Sequence, residues 1–173
     1  DEVLHDSSVV LGDDPGLEKE GVEAELQALL AASVGALGDG LTLICREYPT
    51  DIGPVDLLCS DAAGRTIVVE VKRIGEIAGV EQLLRYQERL DRDARFAPTV
   101  GLFVAQQIKP QAKVFAESKG VAWIEIDLAV LRGDSLAVGH AAAEEDAREL
   151  RCAVEARVGV VEQRVSRERD ELR

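Results

Sequence analysis

Residues 53–86 read GPVDLLCSDAAGRTIVVEVKRIGEIAGVEQLLRY, and this stretch decides the fold. Its first half is two apolar runs separated by a turn-forming segment, which predicts a β-hairpin. Asp56 lies on the first strand, and Glu70 and Lys72 lie on the second with Val71 between them. Residues i and i+2 of a strand share a face, so Glu70 and Lys72 point together while Val71 points into the core. The pattern therefore predicts that two acids and a lysine converge at one place.

These three polar side chains have an ordinary and a functional interpretation. Alternating charges are common on the exposed face of a half-buried strand. However, Val68 and Val69 lead into Glu70 without a polar interruption, which indicates a strand buried on both faces. Buried charges are costly unless they are paired or coordinate a metal. Carboxylates are natural Mg²⁺ ligands, and an ammonium can orient a water beside a phosphoryl group, so the pattern favours a metal-dependent nuclease.

Hydrophobic periodicity predicts the element order α-β-β-β-α-β-α-β. This order suits an α/β fold with a small mixed sheet and helices on both faces. We expect helices at Leu17–Ala36, Val80–Leu90 and Pro110–Lys119, and strands at Leu41–Tyr48, Val55–Cys59, Thr66–Lys72, Thr99–Ala105 and Val121–Ile126.

Composition limits the domain count and the compartment. A chain of 173 residues with 46% hydrophobic content can bury one good core, so we expect one domain and an appendage. Three cysteines without a signal peptide favour a reducing, cytoplasmic location. Cys45 and Cys59 lie on the two strands that flank the turn at 49–54 and are expected as packed core thiols. Neither is expected as a metal ligand, because neither has a CxxC partner. No apolar run reaches the roughly 18 residues of a membrane span, so no membrane partner is expected.

Several long runs of the chain match one known family in the right order. GPVD, the Glu-Val-Lys that follows it, and Gln82 and Tyr86 four residues apart resemble the PD-(D/E)XK nuclease superfamily in its RecB-like form. Residues 1–133 are similar to the catalytic domain of the NucS (EndoMS) endonucleases. The runs that carry this resemblance are HDSS at 5–8, DPGLEKEGVEAELQALLA at 14–31, REYPTDIGPVDLLC at 46–59, RIGEIAGVEQLLRY at 73–86 and AQQIKPQAK at 105–113.

The resemblance implies a restriction-endonuclease-like fold and a metal-assisted phosphodiester hydrolysis. Asp56 and Glu70, with the Val71 carbonyl, would hold one or two Mg²⁺ or Mn²⁺ ions. Lys72 would align the attacking water and stabilise the charged transition state. Asp51, a second acid in the same loop, is expected to cap the turn.

The resemblance also adds helical residues to the expected site. Glu23 matches the acidic helix residue of the family pattern, and Glu25 is a weaker candidate. Gln82 would hold the water or a carboxylate, and Tyr86 would pack the site wall or touch a phosphate. The alternative for all four is an ordinary helix position at the surface or the core edge.

The charge distribution points to DNA despite a net charge of −13. Residues 1–61 hold fourteen acids and two bases, whereas residues 65–113 hold nine bases and six acids. Arg73, Arg85 and Arg89 are candidates for contacts with DNA phosphates, which position a duplex without reading its sequence. A solvated charged face is the alternative.

We expect a linker at 1–16, a nuclease domain at 17–133 and a helical extension of uncertain role at 134–173. NucS proteins carry an N-terminal β-rich domain that helps dimerise and recognise DNA, and this chain begins at the linker. Members commonly end in a tail that contacts the sliding clamp, which is not recognised here. The extension is predicted as a charged helix with a valine stripe, or as the product of a shifted reading frame. The stripe comprises Val154, Val158, Val161 and Val165.

Two classes of function remain open at this point. The first is an endonuclease that acts in repair on mismatched or branched DNA and is a homodimer when complete. A RecB-like nuclease of another specificity is the alternative within that class. The second is a non-catalytic DNA-binding or dimerisation fragment. The intact set of Asp56, Glu70, Lys72 and Gln82 favours the first class, because drift would have replaced one of them.

Overall fold

A mixed five-stranded sheet organises the part of the chain that can be described. The computed structural model describes the backbone of residues 15–133 and the side chains of residues 21–133. Within these residues the sheet order is β1-β2-β3-β4-β5; β1, β2 and β3 pair antiparallel, and β4 and β5 continue in parallel. The strands are β1 (Thr42–Thr50), β2 (Gly53–Ser60), β3 (Thr66–Gly75), β4 (Thr99–Ile108) and β5 (Ala122–Glu125). The predicted α/β fold is confirmed.

The helices follow the predicted order, with one early end and one addition. They are α1 (Pro15–Ala32), α2 (Ile77–Leu90), α3 (Pro110–Ser118) and α4 (Leu128–Arg132), with a 3₁₀ helix at Val34–Leu37. The first helix was expected to continue to Ala36, but Gly35 lies in the tighter 3₁₀ turn, and glycine stabilises an α-helix poorly. The unpredicted α4 is capped by the Asp127 carboxylate, which accepts from the Ala129 amide at 2.8 Å.

Strand β3 is buried on both faces, as predicted. On one face Val69 packs with Leu26 and Leu30 of α1. On the other face Val68 belongs to the cluster that includes Leu83 of α2. By strand alternation Glu70 and Lys72 lie on the face of Val68. Because helices cover both faces of β3, the acidic side chain of Glu70 is buried in the interior.

The hairpin of β2 and β3 opens at one end. Pairing runs from Ser60 opposite Thr66 to Leu57 opposite Val69, whereas β3 continues to Gly75 beside β4. Beyond the last pair, the carboxylate of Asp56 takes over as hydrogen-bond acceptor for β3. This opening creates the place where polar side chains can collect at the end of an apolar sheet.

The two described cysteines differ in their surroundings. Cys59 is fully buried, and burial raises the pKa of its thiol to about 11. Cys45 is only half-buried because β1 is an edge strand, and its thiol donates to the carbonyl of Arg46. The expectation of a packed core thiol is correct for Cys59 and wrong for Cys45.

Parts of the predicted domain organisation lie outside the described residues. Residues 1–14 of the expected linker and the whole extension at 134–173, with its predicted helix, are not described. The division into linker, nuclease domain and extension therefore stays a prediction. Among the helices of residues 15–133, none is long and apolar enough to cross a membrane.

Candidate active site

Asp56 lies at the opening of the hairpin and is held by two contacts. Its Oδ2 accepts from the Val71 amide at 2.7 Å, and its Oδ1 accepts from Nε2 of Gln27 at 3.3 Å. Burial raises the pKa of Asp56, and the Val71 hydrogen bond offsets part of that effect. The carboxylate is thus fixed in place but destabilised as an anion.

Glu70 is the most buried acid at the site. Its side chain is 1% exposed, and Lys72 Nζ lies 2.8 Å from Oε1 as an ion pair. Among the described residues, Oε2 has no polar partner, and Oε1 has none besides Lys72. Its pKa is raised to about 7, first by burial and then by the charge of Asp56, against the lowering effect of Lys72. A buried carboxylate with one unpartnered oxygen is costly to the fold unless a further partner binds it.

Lys72 keeps its positive charge at neutral pH. Burial acts to lower its pKa, but the charges of Glu70 and Asp56 outweigh burial and place the pKa above its usual value. The side chain is 26% exposed, so the ammonium reaches from the buried acid toward solvent. It is therefore a fixed positive charge at the edge of the site.

The structure brings Glu23 of α1 to the same place. Its carboxylate accepts from the backbone amide of Arg73 at 3.1 Å, and its charge contributes to raising the pKa of both Asp56 and Glu70. Glu25 is turned to a different partner, since Arg132 of α4 donates to both of its carboxylate oxygens. Of the two helix acids, Glu23 belongs to the site and Glu25 does not.

Gln82 and Tyr86 lie one turn apart on α2 and contact each other. The Gln82 amide donates to the Tyr86 hydroxyl at 3.0 Å, and Tyr86 is 2% exposed. The hydroxyl lies where a side chain at Gly53 would approach it within 3.1 Å, and Gly53 has φ of +121°. The start of β2 therefore passes closely over Tyr86. In residues 21–133 the Gln82 amide binds Tyr86 and does not reach either carboxylate.

The three candidate phosphate-binding arginines are spread over two elements. Arg73 and Arg85 are exposed, at the end of β3 and on α2. Arg89 pairs with Asp51 at 3.2 Å. That pair lines an open cleft of about 300 Å³, whose other walls include Tyr48.

The turn that follows β1 is closed in a different way from the prediction. Asp51 was expected to cap it, but its carboxylate points to Arg89. The cap is the Thr50 hydroxyl, which donates to the Gly53 carbonyl and accepts from the Ile52 amide. Asp51 is free to make the ion pair because the threonine already satisfies the turn.

Sequence reasoning missed two residues, Gln27 and Arg46. Gln27 is 7% exposed on α1 and binds Asp56, and Arg46 on β1 donates to the Gln27 amide oxygen at 3.2 Å. The available signal was the helical spacing: Gln27 lies four residues after Glu23 and so on the same side of α1. Arg46 had no comparable signal.

The donor set fits a hard cation that prefers oxygen ligands. Within the described residues no group of three His, Cys, Asp or Glu side chains is arranged to hold a metal. The fit therefore rests on Asp56 and on the unpartnered Oε2 of Glu70. Val71 contributes its amide to Asp56 and buries its side chain, and a role for its carbonyl as a ligand stays a prediction.

Comparison with known proteins places this geometry in a family. The profile of the endonuclease NucS C-terminal domain matches residues 22–137, which is more than half of the chain. The chain belongs to the NucS family. Endonuclease NucS of Streptomyces griseus is 59% identical over 133 residues, which cover 77% of this chain and 60% of the relative. Endonuclease NucS of Mycobacteroides abscessus is 60% identical over 131 residues, covering 76% and 56%.

Solved NucS-type structures share the fold. The structure of an EndoMS–dsDNA complex superposes with a TM-score of 0.56 at 27% identity, covering 61% of this chain and 44% of that one. A repair endonuclease from Pyrococcus abyssi gives a TM-score of 0.56 at 28% identity, covering 61% and 46%. The chain thus spans about 60% or less of the length of these relatives. The recognised family and its α/β fold are confirmed.

Proposed function

We propose that this chain is the catalytic part of a Mg²⁺- or Mn²⁺-dependent endodeoxyribonuclease. The observation that carries the proposal is the carboxylate of Glu70, which is 1% exposed, is paired through Oε1 with Lys72, and has no partner for Oε2 among the described residues. Burial raises the pKa of both Glu70 and Asp56, so holding either acid ionised is a cost to the fold. A cost of this kind at the open end of a hairpin is typical of a functional site.

Each residue has a role that follows from its surroundings. Asp56 and Glu70 would hold the divalent cation, which supplies Lewis-acid polarisation of the scissile phosphate and a more acidic water. Lys72 would orient that water and neutralise charge that develops on the phosphate oxygens, because its ammonium is charged and reaches solvent. Glu23 holds the backbone at Arg73, and Gln82 and Tyr86, which are hydrogen-bonded to each other on α2, would line the site.

DNA is the proposed substrate, in mismatched or branched form and in the context of repair. The relatives are named endonucleases, and the superposed EndoMS structure is a complex with double-stranded DNA. Arg73, Arg85 and Arg89 would contact the phosphates of such a duplex. We further propose a cytoplasmic homodimer for the complete protein. We propose a contact with the sliding clamp for the complete protein only, because that partner is expected from the family resemblance.

A cleavage assay with one lysine variant tests the proposal. Matched, G/T-mismatched and flapped duplexes are incubated with the full chain in Mn²⁺ and, separately, in EDTA. Lys72→Ala should lose about 100-fold or more in cleavage rate, because one preorganised charge at the reacting phosphate is removed. Its Mn²⁺ affinity by calorimetry should not fall, because an ammonium is not a metal ligand.

Lys119→Ala is the matched control, since this exposed lysine lies at the far end of α3. It should cut at the wild-type rate. Cleavage by the wild type in EDTA, or wild-type cleavage by Lys72→Ala, would contradict the proposed mechanism. An intact chain that binds DNA in Mn²⁺ but cuts none of the duplexes would favour the non-catalytic fragment.

A further inference from the structure

A chain of polar contacts leads from the surface of β1 to the back of Asp56. Arg46, which is exposed, donates from Nη2 to Oε1 of Gln27 at 3.2 Å. Gln27 in turn donates from Nε2 to the Asp56 carbonyl at 3.2 Å and to Oδ1 at 3.3 Å. Three elements that are distant in sequence, α1, β1 and β2, meet through this one amide.

The orientation of the Gln27 amide is determined by its partners. A guanidinium only donates, and the carbonyl and ionised carboxylate oxygens of Asp56 only accept. The amide oxygen must therefore face Arg46 and the amide nitrogen must face Asp56, although the two atoms are hard to distinguish by shape. A flipped amide would set its oxygen against the oxygens of Asp56. Arg46 thus locks the one orientation in which Gln27 can hold the acid.

The hydrogen bonds to the two carboxylate oxygens of Asp56 fix the direction in which their remaining lone pairs point. The Val71 amide holds Oδ2 and Gln27 holds Oδ1, so both oxygens are anchored and the carboxylate cannot rotate without losing a contact. Gln27 is 7% exposed, so water cannot easily replace it. Outer partners of this kind commonly set the geometry of metal ligands.

We propose that Gln27 is a positioning residue that orients Asp56 for a divalent cation, and that Arg46 locks the Gln27 amide. This inference rests on the proposed function, since it assigns the outer partners of the same site. It also predicts an order of effects. Losing Gln27 removes the two hydrogen bonds that its amide donates to Asp56. Losing Arg46 leaves the amide in place but allows it to flip.

The test is Mn²⁺ titration calorimetry on the full chain, with thermal unfolding in EDTA as a second readout. Gln27→Met keeps the length and burial of the side chain but removes its two hydrogen bonds to Asp56 and the one it accepts from Arg46. It should weaken Mn²⁺ binding by about 10- to 100-fold, the usual effect of losing an outer partner of a ligand. Arg46→Met should weaken binding less, and Arg46→Lys should restore most of it by returning a donor. The metal-free unfolding midpoint of Gln27→Met should fall, because buried acceptors lose their donor, but by no more than a folded chain tolerates at the titration temperature.

Gln87→Met is the matched control, because the Gln87 amide is also partly buried but donates to the Thr99 carbonyl. It should leave Mn²⁺ affinity unchanged. If Gln27→Met binds Mn²⁺ like the wild type while Asp56→Asn does not, the positioning role is overturned and the proposed function stands. If Asp56→Asn also binds normally, the proposed metal site itself fails. Equal weakening by Gln27→Met and Gln87→Met would likewise overturn the positioning role.

Discussion

Replacing Glu70 with glutamine should change how the stability of the metal-free chain depends on pH. The pKa of this carboxyl is raised from its ordinary value near 4.5 to about 7 in the folded chain. The folded state therefore holds the proton more tightly than the unfolded state does. The stability that this proton contributes is fully present below about pH 4.5, and it is lost as the pH rises through about 7.

The size of the effect follows from the same shift. A difference of about 2.5 pKa units at 1.36 kcal/mol per unit corresponds to roughly 3 kcal/mol. Glu70 is 1% exposed, so solvent screening gives little reason to reduce this figure. The Glu70→Gln variant keeps the shape but has no proton to lose. Between about pH 4.5 and 8 the wild type should lose about 3 kcal/mol relative to the variant.

Urea unfolding in EDTA at several pH values measures this difference directly. Groups elsewhere in the chain titrate equally in both proteins, so they cancel when the two free energies of unfolding are subtracted. Adding Mn²⁺ at pH 7 to 8 should restore stability to the wild type and much less to the variant, because the ionised carboxylate then has a cation partner. Parallel curves for the two proteins in EDTA would refute the reasoning, since Glu70 would then titrate as an ordinary acid.

Three further perturbations test neighbouring parts of the structure. In Gly79→Ala the new Cβ would lie 2.8 Å from the buried Phe103 ring. The overpacking should outweigh the gain in helix propensity, so the free energy of unfolding in urea should fall by about 1–2 kcal/mol. An unchanged midpoint would mean that α2 can shift to relieve the contact. If three arginines each neutralise one phosphate, log affinity for duplex DNA should fall with log salt at a slope of about −3, and Arg85→Ala should reduce the slope by about 1. Matched and G/T duplexes should bind this chain similarly, and a large mismatch preference at physiological salt would place recognition in this part of the protein. Tyr86→Phe keeps the ring and should cleave within a few-fold of the wild type, whereas a larger loss would assign the hydroxyl to a phosphate contact.

The centre of the site was predictable because its signals are local. Glu70 and Lys72 are two residues apart on a strand, and their shared face follows from the pleat alone. Gln82 and Tyr86 are four apart on a helix, and the structure joins them by a hydrogen bond. Glu23 was different, because only the family resemblance selected it from several helix acids. Periodicity predicts the face of the strand or helix on which each residue lies, but it does not predict which other element packs against that face.

The supporting contacts were not predictable because they join distant parts of the chain. Gln27 and Asp56 are 29 residues apart, and their contact depends on how α1 crosses the opened hairpin. The pairing of Asp51 with Arg89 depends in the same way on how closely α2 approaches the turn after β1. A sequence gives the residue types for such contacts, but the packing of whole elements decides which pairs form.

The electrostatics of the site explain why its acids are both costly and useful. Glu23, Asp56 and Glu70 face each other's charges, and Lys72 supplies a single opposing charge. Burial first, and then the charge of Asp56, favour the protonated form of Glu70, which is why its pKa is raised to about 7. A divalent cation bound as proposed would therefore compete with a proton for the same carboxylate near neutral pH. The burial that makes Glu70 a poor anion also leaves its Oε2 without a partner among the described residues, so the cost to stability and the proposed binding of a cation would have one structural origin.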